Sequence, residues 1–225
     1  MNLVLLGPQG SGKGTQAELL SHNLGLAYLE MGRVLRSVAN SDNKYAEVVK
    51  NTLDRGELVP DEYVRLIAWD FINKHQGGVT GFIFDGYPRS LAQYEHLEDM
   101  LRKFGKKIDR VIFLKLSEEE TIRRLSARRI CEKCGEIYNL LTNPPLNMDV
   151  CDKCGGNLVF REDDKPDSIK RRLQIFGERT KPVWEKAKSE GVALEINGEQ
   201  PIKAVHEEIV NKLTLRLRSG QAPDN

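Results

Sequence analysis

The sequence predicts an α/β protein built on a doubly wound, five-stranded parallel sheet that carries a phosphate-binding loop and a small cysteine-rich insertion. Three observations support this fold class. Short apolar runs alternate with amphipathic helical segments, which is the pattern of successive βα units. A glycine-rich loop separates the first apolar run from the first helical segment. All four cysteines are confined to residues 131–154.

The individual elements follow from hydrophobic periodicity and from turn residues. The predicted strands cover residues 2–6, 27–30, 80–84, 110–116 and 193–197. The predicted helices cover residues 13–24, 32–40, 45–54, 61–74, 91–104, 117–129, 167–188 and 202–217. The sixth helix opens on a capping box of Ser117 and Glu120 and is predicted to reach Arg129. The seventh is predicted to be kinked near Pro182.

Two segments depart from the βα alternation and are predicted to be excursions from the sheet. They cover residues 31–60 and residues 130–160. The core domain is then formed by residues 1–30, 61–129 and 161–217. Residues 218–225 are polar with Gly and Pro, and we expect a disordered tail. Ligands of doubly wound sheets bind at the carboxyl ends of the strands, so we expect the loops that follow the strands to form one cleft.

Charge and composition limit the classes of partner. Charged residues make up 30% of the 225 residues, yet the net charge is only +1. No single sign of charge dominates, so nucleic acid and membrane surfaces are disfavoured as partners. The apolar runs are shorter than a membrane span, and the sequence shows no basic leader. We therefore expect a cytoplasmic protein.

The loop at residues 7–15 reads GPQGSGKGT and has the features of a phosphate-binding loop. Glycines let the backbone curl until several N–H groups point at one anion. The N-terminus of the following helix adds its positive dipole end to the same place. Lys13 can reach the outer phosphates of a nucleotide, and Thr15 can supply a hydroxyl. In the strict pattern Ser or Thr directly follows the lysine, whereas Gly14 stands there in this chain.

The cysteines form two C-x-x-C pairs, Cys131 with Cys134 and Cys151 with Cys154, separated by sixteen residues. In a reducing compartment this spacing predicts a tetrahedral zinc site. Iron is an alternative occupant of four thiolates. Two disulfides are a further alternative, although nothing in the sequence indicates secretion.

Candidate groups for phosphate chemistry lie near the predicted strand ends and beside the cysteine segment. Asp85 closes the run Gly81-Phe82-Ile83-Phe84 and can hold waters of a magnesium ion; a role as a turn or helix-cap aspartate is the alternative. Guanidinium groups grip phosphate oxygens in a bidentate manner. The candidates are Arg36, Arg89, Arg123, Arg124, Arg128, Arg129, Arg161, Arg171 and Arg172. Arg123 and Arg171 are better explained as members of solvated helix faces.

Taken together, these motifs resemble the adenylate kinases, in the long form whose lid carries a zinc module. The resemblance covers about residues 1–215. It rests on GPQGSGKGTQA at the start, on DGYPRSLAQ at residues 85–93, on the arginines at the lid entry, and on REDDKPDSIKRRL at residues 161–173. It implies reversible, Mg²⁺-dependent phosphoryl transfer between ATP and AMP by a monomer, with structural Zn²⁺ in a lid.

The resemblance also assigns roles to individual residues. Segment 31–60 would bind the monophosphate, and Asp163 and Asp164 would help fasten the lid. The implied catalytic residues are Lys13, Asp85, Arg89, Arg124, Arg128, Arg161 and Arg172. The implied ATP-binding residues are Gly10, Ser11, Gly12, Lys13, Gly14, Thr15, Arg124, Arg128 and Gln200. The implied AMP-binding residues are Met31, Gly32, Arg36, Gly56, Glu57, Leu58, Val59, Gly86, Arg89, Gln93, Arg161 and Arg172. The implied metal ligands are Cys131, Cys134, Cys151 and Cys154.

One stretch departs from the family pattern. The family usually has Thr-Gly-Asp after the second strand, and this chain has Met31-Gly32-Arg33. The change removes a hydroxyl beside the AMP base and an acid expected near magnesium-bound water. Arg33 lies in the first turn of a helix, where the dipole disfavours a cation. It is therefore either a contact for the phosphate of the acceptor or the partner of Glu30 in a local ion pair.

Three alternatives to an AMP kinase remain open. The first is a kinase for UMP, CMP or GMP. The second is a thymidine-type nucleoside kinase, which also combines a phosphate loop with a zinc module. The third is a nucleic-acid binder with a zinc ribbon, which the near-neutral charge and the lack of interleaved aromatics at residues 131–154 disfavour.

Overall fold

The computed structural model describes residues 1–161 and 164–219, with side chains as far as Thr214. The strands are β1 Asn2–Leu6, β2 Ala27–Glu30, β3 Phe82–Asp85, β4 Arg110–Lys115, β5 Arg128–Cys131, β6 Ile137–Asn139, β7 Leu158–Val159 and β8 Ala193–Asn197. The helices are α1 Lys13–Leu24, α2 Met31–Ala39, α3 Ala46–Asp54, α4 Asp61–His75, α5 Leu91–Arg102, α6 Glu118–Ser126, α7 Pro166–Ile175, α8 Lys181–Ser189 and α9 Ile202–Ser219.

The main sheet confirms the predicted five-stranded parallel architecture. Its strand order is β2-β3-β1-β4-β8, and all four strand pairs are parallel. Leu3 and Val4 of the central strand β1 are fully buried, because one apolar cluster packs on each face of the sheet. Strands buried on both faces read as continuous apolar runs, as β1 does.

The chain order of the strands places the site. Successive crossovers carry the chain from β1 outward to β2, and later from β3 past β1 to β4. The strand order therefore reverses beside β1, and the loops after β1 and β3 face each other across the resulting crevice. The loop after β1 begins at Gly7 and the loop after β3 at Gly86, with φ of 145° and 77° respectively. Glycine is needed at both positions, because other residues rarely adopt such φ values.

The prediction of a helix through Arg129 is wrong. Helix α6 ends at Ser126, and Arg128–Cys131 forms strand β5, which pairs antiparallel with β6 and with β7. Long-range contacts override the local helical pattern here. Asn139 donates its side-chain amide to the carbonyl oxygen of Arg124 at 2.8 Å, and this contact satisfies one of the carbonyl groups that a helix leaves free at its end.

The predicted irregularity in the long helix at residues 167–188 lies at a π-turn. Residues Phe176–Thr180 form a single π-helical stretch between α7 and α8, immediately before Pro182 in the first turn of α8. Such turns are frequent at functional sites. The hydroxyl of Thr180 donates to the carbonyl oxygen of Arg89 at 3.0 Å, so the π-turn is bonded to the loop after β3.

The last helix α9 continues to Ser219, two residues beyond the predicted end at Leu217. The predicted tail is therefore helical at Arg218 and Ser219, and its remaining residues 220–225 lie outside the described residues. No helix in the described part of the chain is long and apolar enough to cross a membrane.

Candidate functional site

The phosphate-binding loop folds around the amine of its own lysine. Lys13 Nζ donates to the carbonyl oxygens of Gly7 and Pro8, both at 2.8 Å. Gly10 and Gly12 have φ of 78° and 88°, and Gly12 directly precedes α1. The left-handed glycines and the helix N-terminus together form the anion-binding geometry expected from the sequence.

The electrostatic surroundings of Lys13 show which charges converge on it. Burial lowers the pKa of Lys13 from 10.5 to about 8. This value includes an opposing effect of the carboxylate of Asp85, which raises the pKa, and the effects of nearby Arg89, Arg172 and Arg128, which lower it. Residues from the loop after β3, from β5 and from α7 thus act on the amine of the phosphate-binding loop.

Asp85 faces this loop from the end of β3. Its side chain is largely buried, and Tyr28 Oη lies 3.5 Å from Asp85 Oδ2. A β-carbon built on Gly14 would lie 3.6 Å from the same oxygen. A side chain at position 14 would therefore lie in contact with the carboxylate of Asp85, and carboxylate and hydroxyl oxygens are the ligands that Mg²⁺ prefers.

A cavity on the other side of the cleft brings together the residues implied for the acceptor. Four of the residues that line it carry guanidinium groups, namely Arg36, Arg89, Arg161 and Arg172. It is also lined by Met31, Gly32, Gly56, Glu57, Leu58, Val59, Gly86 and Gln93. Sequence reasoning missed its apolar wall of Leu35, Leu53 and Val64, which lie in α2, α3 and α4 respectively.

This cavity adjoins a second one that contains the phosphate-binding loop. The second cavity is lined by Gly7, Gln9 and Lys13 on one side and by Ile175, Phe176 and Thr180 around the π-turn on the other. Arg89, Arg172 and Gly86 line both cavities. The lysine of the loop and the arginines of the acceptor side therefore open into one cleft.

Asp164 ties two of the arginines together. It is 1% exposed and binds the guanidinium of Arg128 in a bidentate manner. Arg172 Nη1 donates to Asp164 Oδ1 at 3.2 Å. Asp164 therefore joins β5 to α7. Asp163 lies outside the described residues.

Arg124 is anchored away from the acceptor cavity. It is 8% exposed, donates through Nε to Glu120 at 2.6 Å, and through Nη1 to the carbonyl oxygen of Gly198 at 2.9 Å. Hydrogen bonds from Arg123 and Arg124 lower the pKa of Glu120 to about 2. Sequence reasoning identified Glu120 only as a member of a capping box and did not anticipate either Glu120 or Gly198 as a partner of Arg124. Gln200, like Gly198, follows the end of β8, and its side chain donates to Glu208 at 2.6 Å.

Gln93 is nearly buried at the start of α5. Its side-chain oxygen accepts from the backbone N–H of Arg89 at 2.7 Å, and its side-chain nitrogen donates to Asp61 Oδ1 at 2.7 Å. Neither partner was anticipated. Asp61 is 32 positions away in the sequence, and Arg89 lies in an irregular loop before α5.

Arg33 forms the local ion pair that was one of its two expected roles. Its Nε lies 2.8 Å from Glu30 Oε2, and its side chain is 59% exposed. Arg36 shares the other oxygen of Glu30 at 3.3 Å. Arg36 lines the acceptor cavity and Arg33 does not.

The four cysteine sulfurs converge in the insertion, and all lie within 4.8 Å of one another. Cys131 Sγ is 3.5 Å from Cys154 Sγ, and Cys134 Sγ is 3.6 Å from Cys151 Sγ. These distances exceed that of a disulfide, and the cysteines are free thiols. Four sulfurs around a tetrahedral zinc ion are about 3.8 Å apart. The sulfur positions thus fit one four-coordinate metal ion.

A phosphate-binding loop and four converging arginines at the edge of a parallel sheet define a P-loop phosphotransferase. A family model described as "Adenylate kinase" matches residues 5–192. Similar proteins named "Adenylate kinase" come from Thermosipho africanus, 40% identical over 94% of this chain and 98% of that protein, and from Archaeoglobus fulgidus, 39% identical over 93% and 96%. A third, from Bacillus licheniformis, is 39% identical over 93% and 96%. The chain therefore belongs to the adenylate kinase family.

Proposed function

We propose that the protein transfers the terminal phosphoryl group of ATP to AMP, reversibly, to give two ADP. One observation carries the proposal. The amine of Lys13 and the guanidinium groups of Arg36, Arg89, Arg161 and Arg172 line a single cleft. Phosphoryl transfer requires positioning and charge stabilisation more than covalent catalysis, and this cleft provides positive charge at both of its ends.

On the donor side, the backbone N–H groups of Gly10, Ser11, Gly12, Gly14 and Thr15 hold the phosphates of ATP. Lys13 exchanges its two carbonyl partners for phosphate oxygens when ATP binds. Arg128 reaches the phosphates from β5. Arg124 lies beside the end of β8, where the adenine of ATP is held against its guanidinium and the backbone of Gln200.

Asp85, through bound waters, and Thr15, through its hydroxyl, would hold the Mg²⁺ that accompanies ATP. Their oxygen atoms and the position of Asp85 Oδ2 beside Gly14 of the phosphate-binding loop support this assignment. Mg²⁺ neutralises charge on the phosphates of the donor. Arg89, Arg161 and Arg172 then orient the two nucleotides in line and stabilise the charge on the transferring group.

Water has to be excluded, because it would otherwise accept the phosphoryl group. We propose that the monophosphate segment at residues 31–60 closes over AMP and that the lid at residues 130–160 closes over ATP. Two observations support such closure. Asp164 joins β5 to α7, and Arg161, at the exit of the lid, lines the acceptor cavity. Lid closure is a familiar gating step in enzymes that bind phosphates.

Zinc in the lid is structural in this proposal. Four thiolates leave no open coordination position for catalysis. The metal stabilises a segment that buries few apolar side chains of its own, since only Cys131, Tyr138, Cys151 and Leu158 form its buried cluster. We also propose that the protein acts in the cytoplasm, because four free thiols suit a reducing compartment, and that it is a monomer, as its family resemblance implies.

A coupled assay of ADP formation from ATP and each of AMP, GMP, CMP and UMP tests the proposed reaction. We expect AMP to be strongly preferred, since the amide of Gln93 can both donate to and accept from the adenine edge. Replacement of Gln93 by Leu should reduce this preference and leave the KM for ATP nearly unchanged. Equal turnover of the four monophosphates, or phosphorylation of thymidine in their place, would refute the proposal.

A variant on each side of the cleft separates donor from acceptor. Arg36→Ala should raise the KM for AMP about tenfold or more without a comparable change for ATP, because the lost contact is to the acceptor phosphate. Arg33→Ala is the matched control. It removes an arginine one helical turn earlier that lies outside the cavity, so both KM values should stay within about twofold of the unmodified enzyme.

A further inference from the structure

We propose that Asp61 is the positioning residue that makes the acceptor site select a 6-aminopurine over a 6-oxopurine. It acts by fixing which end of the Gln93 amide carries the oxygen. The inference deepens the proposed function, since it rests on the binding of the acceptor base by Gln93.

The first step concerns the two anchors of the Gln93 side chain. Gln93 Oε1 accepts from the backbone N–H of Arg89 at 2.7 Å. Gln93 Nε2 donates to Asp61 Oδ1 at 2.7 Å. A backbone N–H can only donate and an ionised carboxylate can only accept, so both anchors demand the same orientation of the amide.

The second step considers the reversed amide. A rotation by 180° would place the NH₂ group against the N–H of Arg89 and the oxygen against the carboxylate of Asp61. The NH₂ group would then face another donor, and the amide oxygen would face another acceptor, at a site where Gln93 is only 3% exposed. Buried polar groups without partners are strongly disfavoured, so one orientation persists when the cavity is empty and when it is filled.

The third step concerns what the fixed amide offers to a base. The nitrogen carries two hydrogens and the oxygen two lone pairs, so the two anchors leave one N–H and one lone pair. Gln93 lines the acceptor cavity together with Arg36 and Arg89, so the amide and these two arginines border the same space. A purine nucleotide whose phosphate is held by the arginines therefore meets an amide of defined polarity.

The fourth step relates this polarity to the base. Adenine has an amino donor at C6 and an acceptor at N1, whereas a 6-oxopurine has an acceptor at C6 and a donor at N1. The two edges are reversed copies of each other. A fixed amide matches only one of them in a given pose, while an amide free to rotate would match either. Selection thus depends on the anchor as well as on Gln93 itself.

The location of Asp61 makes it a natural anchor. It is the first residue of α4, at the end of the monophosphate segment. It reaches Gln93 across 32 positions of sequence. The contact therefore links the base reader on α5 to the element that follows the segment expected to close over AMP.

The experiment compares AMP with IMP, which differs from it only at this edge of the base. In Asp61→Ala and Asp61→Leu, which both lack an acceptor, the ratio of kcat/KM for AMP to that for IMP should fall about tenfold. The loss should appear in the KM for AMP, with kcat and the KM for ATP nearly unchanged. Asp61→Asn keeps an acceptor oxygen and should retain most of the selectivity.

Glu62→Ala is the matched control, because Glu62 is the other acid in the first turn of α4 and is exposed. It should leave the ratio unchanged. Calorimetric titration with AMP and IMP alone, without ATP, gives the same comparison independently of turnover. A purely structural role for Asp61 would weaken both nucleotides alike and leave their ratio constant.

Two failures are distinguishable. If both Asp61 variants keep the ratio within about twofold while Gln93→Leu abolishes selectivity, Asp61 does not position the amide and the role of Gln93 stands. If Gln93→Leu also leaves the ratio unchanged, the base is not read by Gln93, and the proposed acceptor recognition fails together with this inference.

Discussion

The phosphate-binding loop and the cysteine module, residues 130–160, use similar backbone turns but differ in how much apolar core surrounds them. Gly10 and Gly12 of the loop have left-handed φ, as do Gly135 and Gly155, which each follow a C-x-x-C pair. The loop lies between β1, whose residues are all buried, and α1. In the module, by contrast, Leu146 and Met148 are 88% and 68% exposed.

The difference shows how segment size determines the source of stability. A loop that joins two elements of a large apolar core is held by burial, which is roughly proportional to the apolar area removed from water. A short insertion buries too little surface to offset the entropy of ordering its chain. In the proposed function its four thiolates bind a metal ion, and metal binding then contributes folding free energy to that segment.

The largest expected effect comes from removing one thiolate. We expect the unmodified protein to contain about one metal ion per chain and Cys151→Ser to lose it. The variant should also expose residues 130–160 to proteases, because a site with three thiolates loses coordination energy and, with it, folding free energy. Elemental analysis and limited proteolysis measure both. Lys153→Ser, at the exposed neighbouring position, is the control. Full metal content and unchanged protection in Cys151→Ser would show that apolar packing alone holds the module.

Matched leucine truncations sharpen the comparison. Leu3→Ala in β1 should lower the global free energy of unfolding by about 2–5 kcal/mol, because Leu3 is fully buried in the sheet core and leaves a cavity. Leu158→Ala in the module should change the global value by less than about 1 kcal/mol and act mainly on local opening. Urea unfolding gives the first quantity and hydrogen exchange the second. Equal global losses would mean that the module and the sheet unfold as one unit.

The titration of Lys13 tests the phosphate-binding loop by itself. Burial lowers the pKa of Lys13 to about 8, so the charged form is lost as the pH rises through about 8. We expect kcat/KM for ATP to fall about tenfold per pH unit above this value, since this parameter reports the ionisation of the free enzyme. The free energy of unfolding should change with pH in the opposite direction to the activity. The folded chain favours the neutral amine, so the contribution of Lys13 to the free energy of unfolding grows from about pH 8 to 10.5.

Lys13→Arg provides the control for this pH profile, because arginine stays charged throughout the range. Its activity should be lower but should lack the inflection near pH 8. An inflection that persists in Lys13→Arg would assign the titration to another group.

The smallest expected effects come from the left-handed glycines. A β-carbon on Gly12 or Gly135 meets no atom within 4 Å, so alanine at either position introduces backbone strain of about 1–2 kcal/mol without a clash. In Gly12→Ala the rigid core should keep the loop in place, and the strain should appear as a higher KM for ATP. In Gly135→Ala it should appear as faster metal loss to a chelator. A higher KM for ATP in Gly135→Ala, or faster metal loss in Gly12→Ala, would contradict the view that burial stabilises the loop and a metal ion stabilises the module.

Much of the fold followed from the sequence because its signals are local. Apolar runs such as Leu3–Leu6 and the helical periodicity after Lys13 depend on neighbours in the chain, and they placed the five strands of the main sheet. The convergence of the loops after β1 and β3 followed from the rule that parallel strands share one carboxyl edge. The spacing of the cysteines likewise indicated one tetrahedral site, because four ligands at such intervals fit a single ion.

Only the tertiary structure decided the partners of the polar side chains. Arg128 continues a helical pattern in the sequence, yet it lies in a strand, where Asp164 binds its guanidinium in a bidentate manner. Asp61 resembles any helix-opening acid until its contact with Gln93 is seen. Hydrogen bonds and ion pairs require distances of about 3 Å between groups far apart in the chain, and periodicity carries no information at that scale. The sequence determined which chemical groups are present and which edge of the sheet they share, whereas packing determined which of them meet.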